Sequence, residues 1–152
     1  MNETCEKASD FLQSIFDQSK LGLRISRKET EEECVLDIDG PDAELLQAEG
    51  GELLEAVQHL VTQAFGRMLP AGKRLVCDVH SFRATREAEL RAMAQHAAQR
   101  VRTTGTEFMF GPMNASERRV IHLALADSED VYTESVGQGP DRKLRVARRS
   151  LG

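Results

Sequence analysis

At 152 residues, with 40% hydrophobic and 5% aromatic side chains and no Trp, the chain has room for one domain or two small ones built on mostly aliphatic cores. The formal net charge of −5 argues against a broad polyanion-binding stripe, yet it is lopsided: residues 1–70 hold 6 Lys/Arg against 15 Asp/Glu, and residues 71–152 hold 14 against 10, an asymmetry that can mark a local polyanion site. No apolar run reaches the roughly 20 residues that cross a bilayer, no secretory signal is visible, and Cys5, Cys34 and Cys77 are too few and too widely spaced for a disulfide framework or a zinc site, so a soluble protein of a reducing compartment, without metal or cofactor, is expected.

In chain order, Ala8, Phe11, Leu12, Ile15 and Phe16 predict a helix with one apolar stripe over residues 3–19. Leu23 and Ile25, then Cys34, Leu36 and Ile38, alternate as a half-buried hairpin does, with an acidic tip between them. Residues 42–67 read as helix broken at Gly50–Gly51, and Leu53, Leu54, Val57, Leu60, Val61, Ala64 and Phe65 form a stripe on its second part. A strand follows from about Arg74 to Phe82. The next helix turns Arg86, Leu90, Met93, Ala94, Ala97 and Val101 inward. Thr103, Thr104 and Gly105 form a junction, and TEFMF is a short strand.

The stretch from Pro112 to Leu125 carries most of the chemistry. Asn114 is placed to cap a helix, with Glu117 three residues on as a capping box requires. Val120, Ile121, Leu123, Ala124 and Leu125 share a broad apolar arc, and Arg118, Arg119 and His122 share the other. Guanidinium forks match phosphate geometry, and Arg and His planes stack on bases. Alone, this arc is either a solvated helix face or an anion-binding one. It is followed by VYTESV, a GQGPD turn and the basic strand RKLRVARR.

A helix bearing Arg-x-x-x-His beside such a hairpin resembles the R-three-H domain, a small single-stranded nucleic-acid-binding fold. PMNASERRVIHLAL is similar to the form it takes in the Jag (SpoIIIJ-associated, KhpB-like) family, where a type II KH domain precedes it. LLQAEGGELLEAVQHL and RLVCDVHSFRATREAEL are similar to segments of that KH domain. The resemblance implies an α+β protein: a type II KH domain of order α-β-β-α-α-β with a three-stranded sheet over residues 1–104, then a small α/β R-three-H domain over 105–152. No counterpart of the extra N-terminal domain of many members is seen.

KH domains grip nucleic acid with a G-x-x-G loop that lets backbone approach phosphate and carries basic residues in the middle. Here the loop falls on Ala48, Glu49, Gly50 and Gly51, with a methyl at the first position and a carboxylate at the second, and it is read as degenerate. Arg83 and Arg86 are candidates for side contacts. Asp78 and His80 share a strand face without a nucleophile, and no phosphate-loop, dinucleotide or hydrolase motif appears, so no catalytic residue is assigned. The expected function is single-stranded RNA binding, with single-stranded DNA as the related ligand, in bacterial cytoplasmic post-transcriptional control. Arg118 and His122 lead the site, and Arg119, Arg142, Lys143 and Arg145 extend it. The alternative is a docking module whose KH half binds a protein. The resemblance implies a small KH-only partner.

Overall fold

The computed structural model describes residues 2–150. The chain is α+β and divides between Arg83 and Ala84 into two compact units. The first holds α1 (Glu3–Gln18), β1 (Arg24–Glu29), β2 (Glu33–Asp39), α2 (Ala43–Phe65) and β3 (Arg74–Val79). β2 is the middle strand, antiparallel to β1 and parallel to β3. Period-two alternation puts Cys34, Leu36 and Ile38 of β2 and Leu75, Cys77 and Val79 of β3 on one buried face. Cys5, Ala8, Leu12 and Phe16 of α1 and Leu46, Leu54, Val57 and Val61 of α2 complete that core. Each fully buried Leu or Ile contributes about 1.5–3 kcal/mol.

α3 (Phe82–Thr104) opens at the end of the first unit, but its buried residues Leu90, Ala94, Ala97, Ala98 and Val101 belong to the second core. With it go β4 (Phe108–Met109), α4 (Ala115–Leu125), β5 (Val131–Val136) and β6 (Lys143–Arg148). The sheet is antiparallel in the order β4-β6-β5. Phe110, Ile121, Leu125, Val131, Leu144 and Val146 fill the space beneath the helices.

Several expectations shift. The boundary expected near Thr104 lies at residue 83 instead, because the small residues of α3 form one wall of the second core. Cys5 and Cys34, too far apart in sequence to suggest a bridge, are bonded, with 6.0 Å between Cα atoms. They stand 29 residues apart in the chain, and packing α1 onto β2 brings them together. Cys77 is free and buried, its thiol pushed up to about 12 by burial, so it acts as a small hydrophobe. Leu53, Leu60 and Leu123 lie on the apolar arcs of their helices but are 41%, 42% and 63% exposed, since each helix carries more apolar residues than its sheet covers. Among the described residues no helix is long and apolar enough to cross a membrane.

The break in α2 falls where the sequence places it, with a different residue under strain. Ala48 has φ −62° and ψ 153°, extended backbone that suits any side chain, so no positive φ is asked of it. Glu49 adopts φ 55°, followed by Gly50 at 68° and Gly51 at 85°. A side chain in this left-handed region costs about 1–2 kcal/mol. Glu49→Gly is therefore expected to raise the stability of the first unit by about 0.5–1 kcal/mol, read as a higher urea midpoint by circular dichroism. A lower midpoint would show that Glu49 makes an offsetting contact.

Candidate nucleic-acid interface

α4 starts as its sequence dictates. Asn114 is the cap, its side-chain oxygen accepting from the Glu117 N–H at 2.9 Å. The reciprocal half of the expected capping box is replaced. The Glu117 carboxylate, 7% exposed as a residue, accepts instead from Arg86 Nε at 3.0 Å and from a terminal guanidinium nitrogen at 2.6 Å. Arg86 also reaches Glu89 at 3.2 Å. It is thus a structural tie between α3 and α4 rather than a side contact for a ligand.

Directly after Glu117 on α4 the expected pair comes together with a third cation. The Arg118 guanidinium donates to the Met113 carbonyl, which holds it over the helix start. His122 lies half-buried between α4 and β5. Its Nδ1 is 2.5 Å from Thr133 Oγ1, and its Nε2 is 3.1 Å from Ser135 Oγ. Hydroxyls donate or accept, so both ring nitrogens are satisfied in either tautomer. Burial, then Arg118, then Arg142 hold the His122 pKa below the usual imidazole value. Arg142 is exposed at the foot of β6, beyond the short 3-10 turn Gly139–Asp141. Two guanidiniums, an imidazole and two hydroxyls therefore converge where α4 meets the β5–β6 hairpin. The two guanidiniums are suited to phosphate oxygens, and, among the described residues, no carboxylate bonds the imidazole beside them.

The other sequence candidates separate. Arg119 and Lys143 are exposed, on α4 and at the start of β6. Arg145 is already engaged: it donates to Glu107 at 2.8 Å, Glu134 at 2.6 Å and the Tyr132 hydroxyl at 3.0 Å, and lies 5.7 Å from the Tyr132 ring centroid. The hydrogen bonds to Glu134 and Glu107 hold its pKa above the ordinary arginine value. In the first unit, Arg83 donates to the Cys77 carbonyl at 2.7 Å and to the Glu55 carboxylate, so it too is engaged. Ala48, Glu49, Gly50 and Gly51 form the break in α2 with no positive side chain among them. Thr133 and Ser135 escape a reading of the sequence alone. Their only signal is two hydroxyl residues on the same face of a strand as buried Val131.

A small α/β unit with Arg-x-x-x-His on a capped helix beside an antiparallel hairpin defines a class, and the R-three-H domain family matches residues 88–148. Along most of its length the chain is similar to the RNA-binding protein KhpB of Clostridium symbiosum, with 31% identity over 144 residues covering 93% of this chain and 65% of the relative. The protein of the same name from Bacillus subtilis is 27% identical over 146 residues, covering 95% and 70%. That from Lactiplantibacillus plantarum is 32% identical over 116 residues, covering 76% and 36%. The chain thus spans just under two thirds of the Clostridium relative and about a third of the Lactiplantibacillus one.

Proposed function

We propose that this chain binds single-stranded RNA through Arg118, His122 and Arg142, as a bacterial regulator, with Arg119 and Lys143 extending the surface. The observation that carries the reading is the convergence of His122 with two guanidiniums and two strand hydroxyls inside the R-three-H match. The names of the relatives support it. We further read the first unit as a type II KH fold. Its element order is α-β-β-α-α-β once α2 is divided at its break, and β2 lies between an antiparallel and a parallel neighbour. That unit adds little affinity, because its loop offers a carboxylate where a phosphate would sit.

In this reading Arg118 and Arg142 hold a phosphate and the His122 ring contacts the adjoining nucleotide. Arg118→Ala with His122→Ala is expected to weaken binding of a uridine oligomer by about 1–3 kcal/mol, the scale of one or two stacked or charged contacts. Fluorescence anisotropy measures it, with circular dichroism confirming the fold. Unchanged affinity in the folded variant overturns the reading.

The same titration carries a pH test. Burial and then the two guanidiniums depress His122, and a bound phosphate offsets the guanidiniums, so binding takes up a proton and affinity rises as pH falls from about 7.5 to about 5.5. Uridine does not titrate in that range, and His122→Asn should flatten the slope. Stability moves the other way. The folded state holds fewer protons than the unfolded chain below about pH 6.5, so acid destabilises the second unit there.

A further inference from the structure

The free edge of β3 is closed from within. β3 pairs with β2 on one side only, so the outward carbonyls and N–H groups of its other edge need partners. One side chain of α2 supplies partners for two of them. The Gln58 carboxamide donates to the Leu75 carbonyl at 2.5 Å and to Thr62 Oγ1 at 3.1 Å. Its oxygen accepts from the Cys77 N–H at 2.6 Å and from the Arg83 guanidinium at 3.4 Å. A carboxamide has two N–H donors and two acceptor lone pairs, so all four positions are filled. Arg83 takes the Cys77 carbonyl at 2.7 Å, with Glu55 neutralising it, and the Val79 N–H donates to the Asp78 carboxylate at 2.8 Å.

The geometry that Gln58 satisfies is that of a nucleobase. A carbonyl and an N–H two residues apart on one strand edge accept one partner with a donor beside an acceptor. The edges of cytosine, adenine and uracil present that pair, as a carboxamide does. Beside Gln58 a cleft of about 530 Å³ runs between α2 and β3, and its lining includes Arg67, Lys73 and Arg74. Those are three cations in a half whose charge is otherwise strongly acidic. Lys73 and Arg74 are held by Glu29 and Glu33, while Arg67 is exposed.

We propose that Gln58 is a latch: its carboxamide occupies the base-reading edge of β3, and this closure, together with the loop carboxylate of Glu49, keeps a single strand off the first unit. The proposal rests on the KH reading of the first unit given above. It makes Gln58 a positioning residue. Opening the loop alone leaves the edge filled, and opening the edge alone leaves Glu49 facing the phosphates.

The test uses the full chain carrying Arg118→Ala and His122→Ala, so that the C-terminal site is silent, and a fluorescein-labelled cytidine oligomer as probe. Glu49→Lys, Gln58→Ala and the two combined are compared. The latch predicts less than twofold gain for either alone and tenfold or more for the pair. A full gain from Glu49→Lys alone overturns it. Amide exchange supplies a second readout. The Cys77 N–H should be slow in the parent and fast in Gln58→Ala, while the Leu36 and Ile38 amides stay protected. It should slow again when the oligomer binds the combined variant. If Cys77 stays slow in Gln58→Ala, there is no latch. If Cys77 is freed but no oligomer binds the combined variant, the KH reading of this unit falls and the proposal with it. Should Gln58→Ala lose Leu36 protection, Gln58→Met keeps the volume without the hydrogen bonds and replaces it. None of these outcomes bears on the C-terminal site, which is tested in the unaltered chain.

Discussion

Replacing Arg86 with Ala is expected to destabilise the second unit by about 2–4 kcal/mol, although Arg86 is not one of the Arg118–His122–Arg142 cluster. The Glu117 side chain is only 9% exposed and the Arg86 side chain 27%. Removing the arginine leaves a nearly buried carboxylate with its two charge-assisted hydrogen bonds unmade. Breaking one side of a buried pair costs about 3–5 kcal/mol, and the partial exposure of Arg86 lowers that figure. Its pKa is set by burial, which lowers it, against hydrogen bonds to Glu117 and Glu89, which prevail and raise it. Urea unfolding followed by tyrosine fluorescence isolates the effect, because the chain has one Tyr and no Trp and Tyr132 lies on β5. A double replacement, Arg86→Met with Glu117→Met, is expected to recover at least about 1 kcal/mol of the loss, since an apolar pair of similar volume avoids the desolvation of both ions. A single variant with unchanged stability would mean that water reaches Glu117 freely.

The contrast between Arg86 and Arg118 shows where the sequence stops being legible. Periodicity locates both helices, and Asn114 with Glu117 marks the start of α4. The alternation through Cys34, Leu36 and Ile38 locates β2 and its buried face. Those are local signals, set by residues within a few positions of one another. Which cations remain available to a ligand is not local. Arg86 meets Glu117 across 31 residues and Arg145 meets Glu107 across 38, and neither separation leaves a trace in composition or spacing. Arg118 bonds a carbonyl only five residues back, so its freedom to face an anion depends on its own helix turn. The same reason hides the Cys5–Cys34 bridge and the reach of Gln58 to β3. The charge asymmetry of the two halves is visible in the bare sequence, but the particular grouping of Arg142 with His122 needs the hairpin to close.

Gly51→Ala is expected to destabilise the first unit by about 2–4 kcal/mol, and the reason reassigns a glycine that belongs, on sequence, to a phosphate-gripping loop. Gly51 is buried, with φ +85°, a conformation that costs a residue with a Cβ about 1–2 kcal/mol. An added methyl would stand 2.6 Å from Cε1 and 3.3 Å from Cζ of Phe82, whose ring packs against the first core. Either the ring shifts or the break in α2 opens, and overpacking of this kind adds about 1–3 kcal/mol. The glycine is thus held by the fold's own needs, whatever the loop binds. Amide exchange of Leu36 and Ile38 in β2 reports the loss without interference from the second unit, and both should exchange through global opening of the first unit at a rate raised about 30-fold or more. Phe82→Ala in the same background separates the two causes. If the clash dominates, removing the ring should restore part of what Gly51→Ala costs beyond the loss from Phe82→Ala itself. If the two changes simply add, backbone strain at residue 51 is the whole effect. A Gly51→Ala chain as protected as the parent would show that the loop relaxes freely, and would return Gly51 to the ligand-facing role its sequence position suggests.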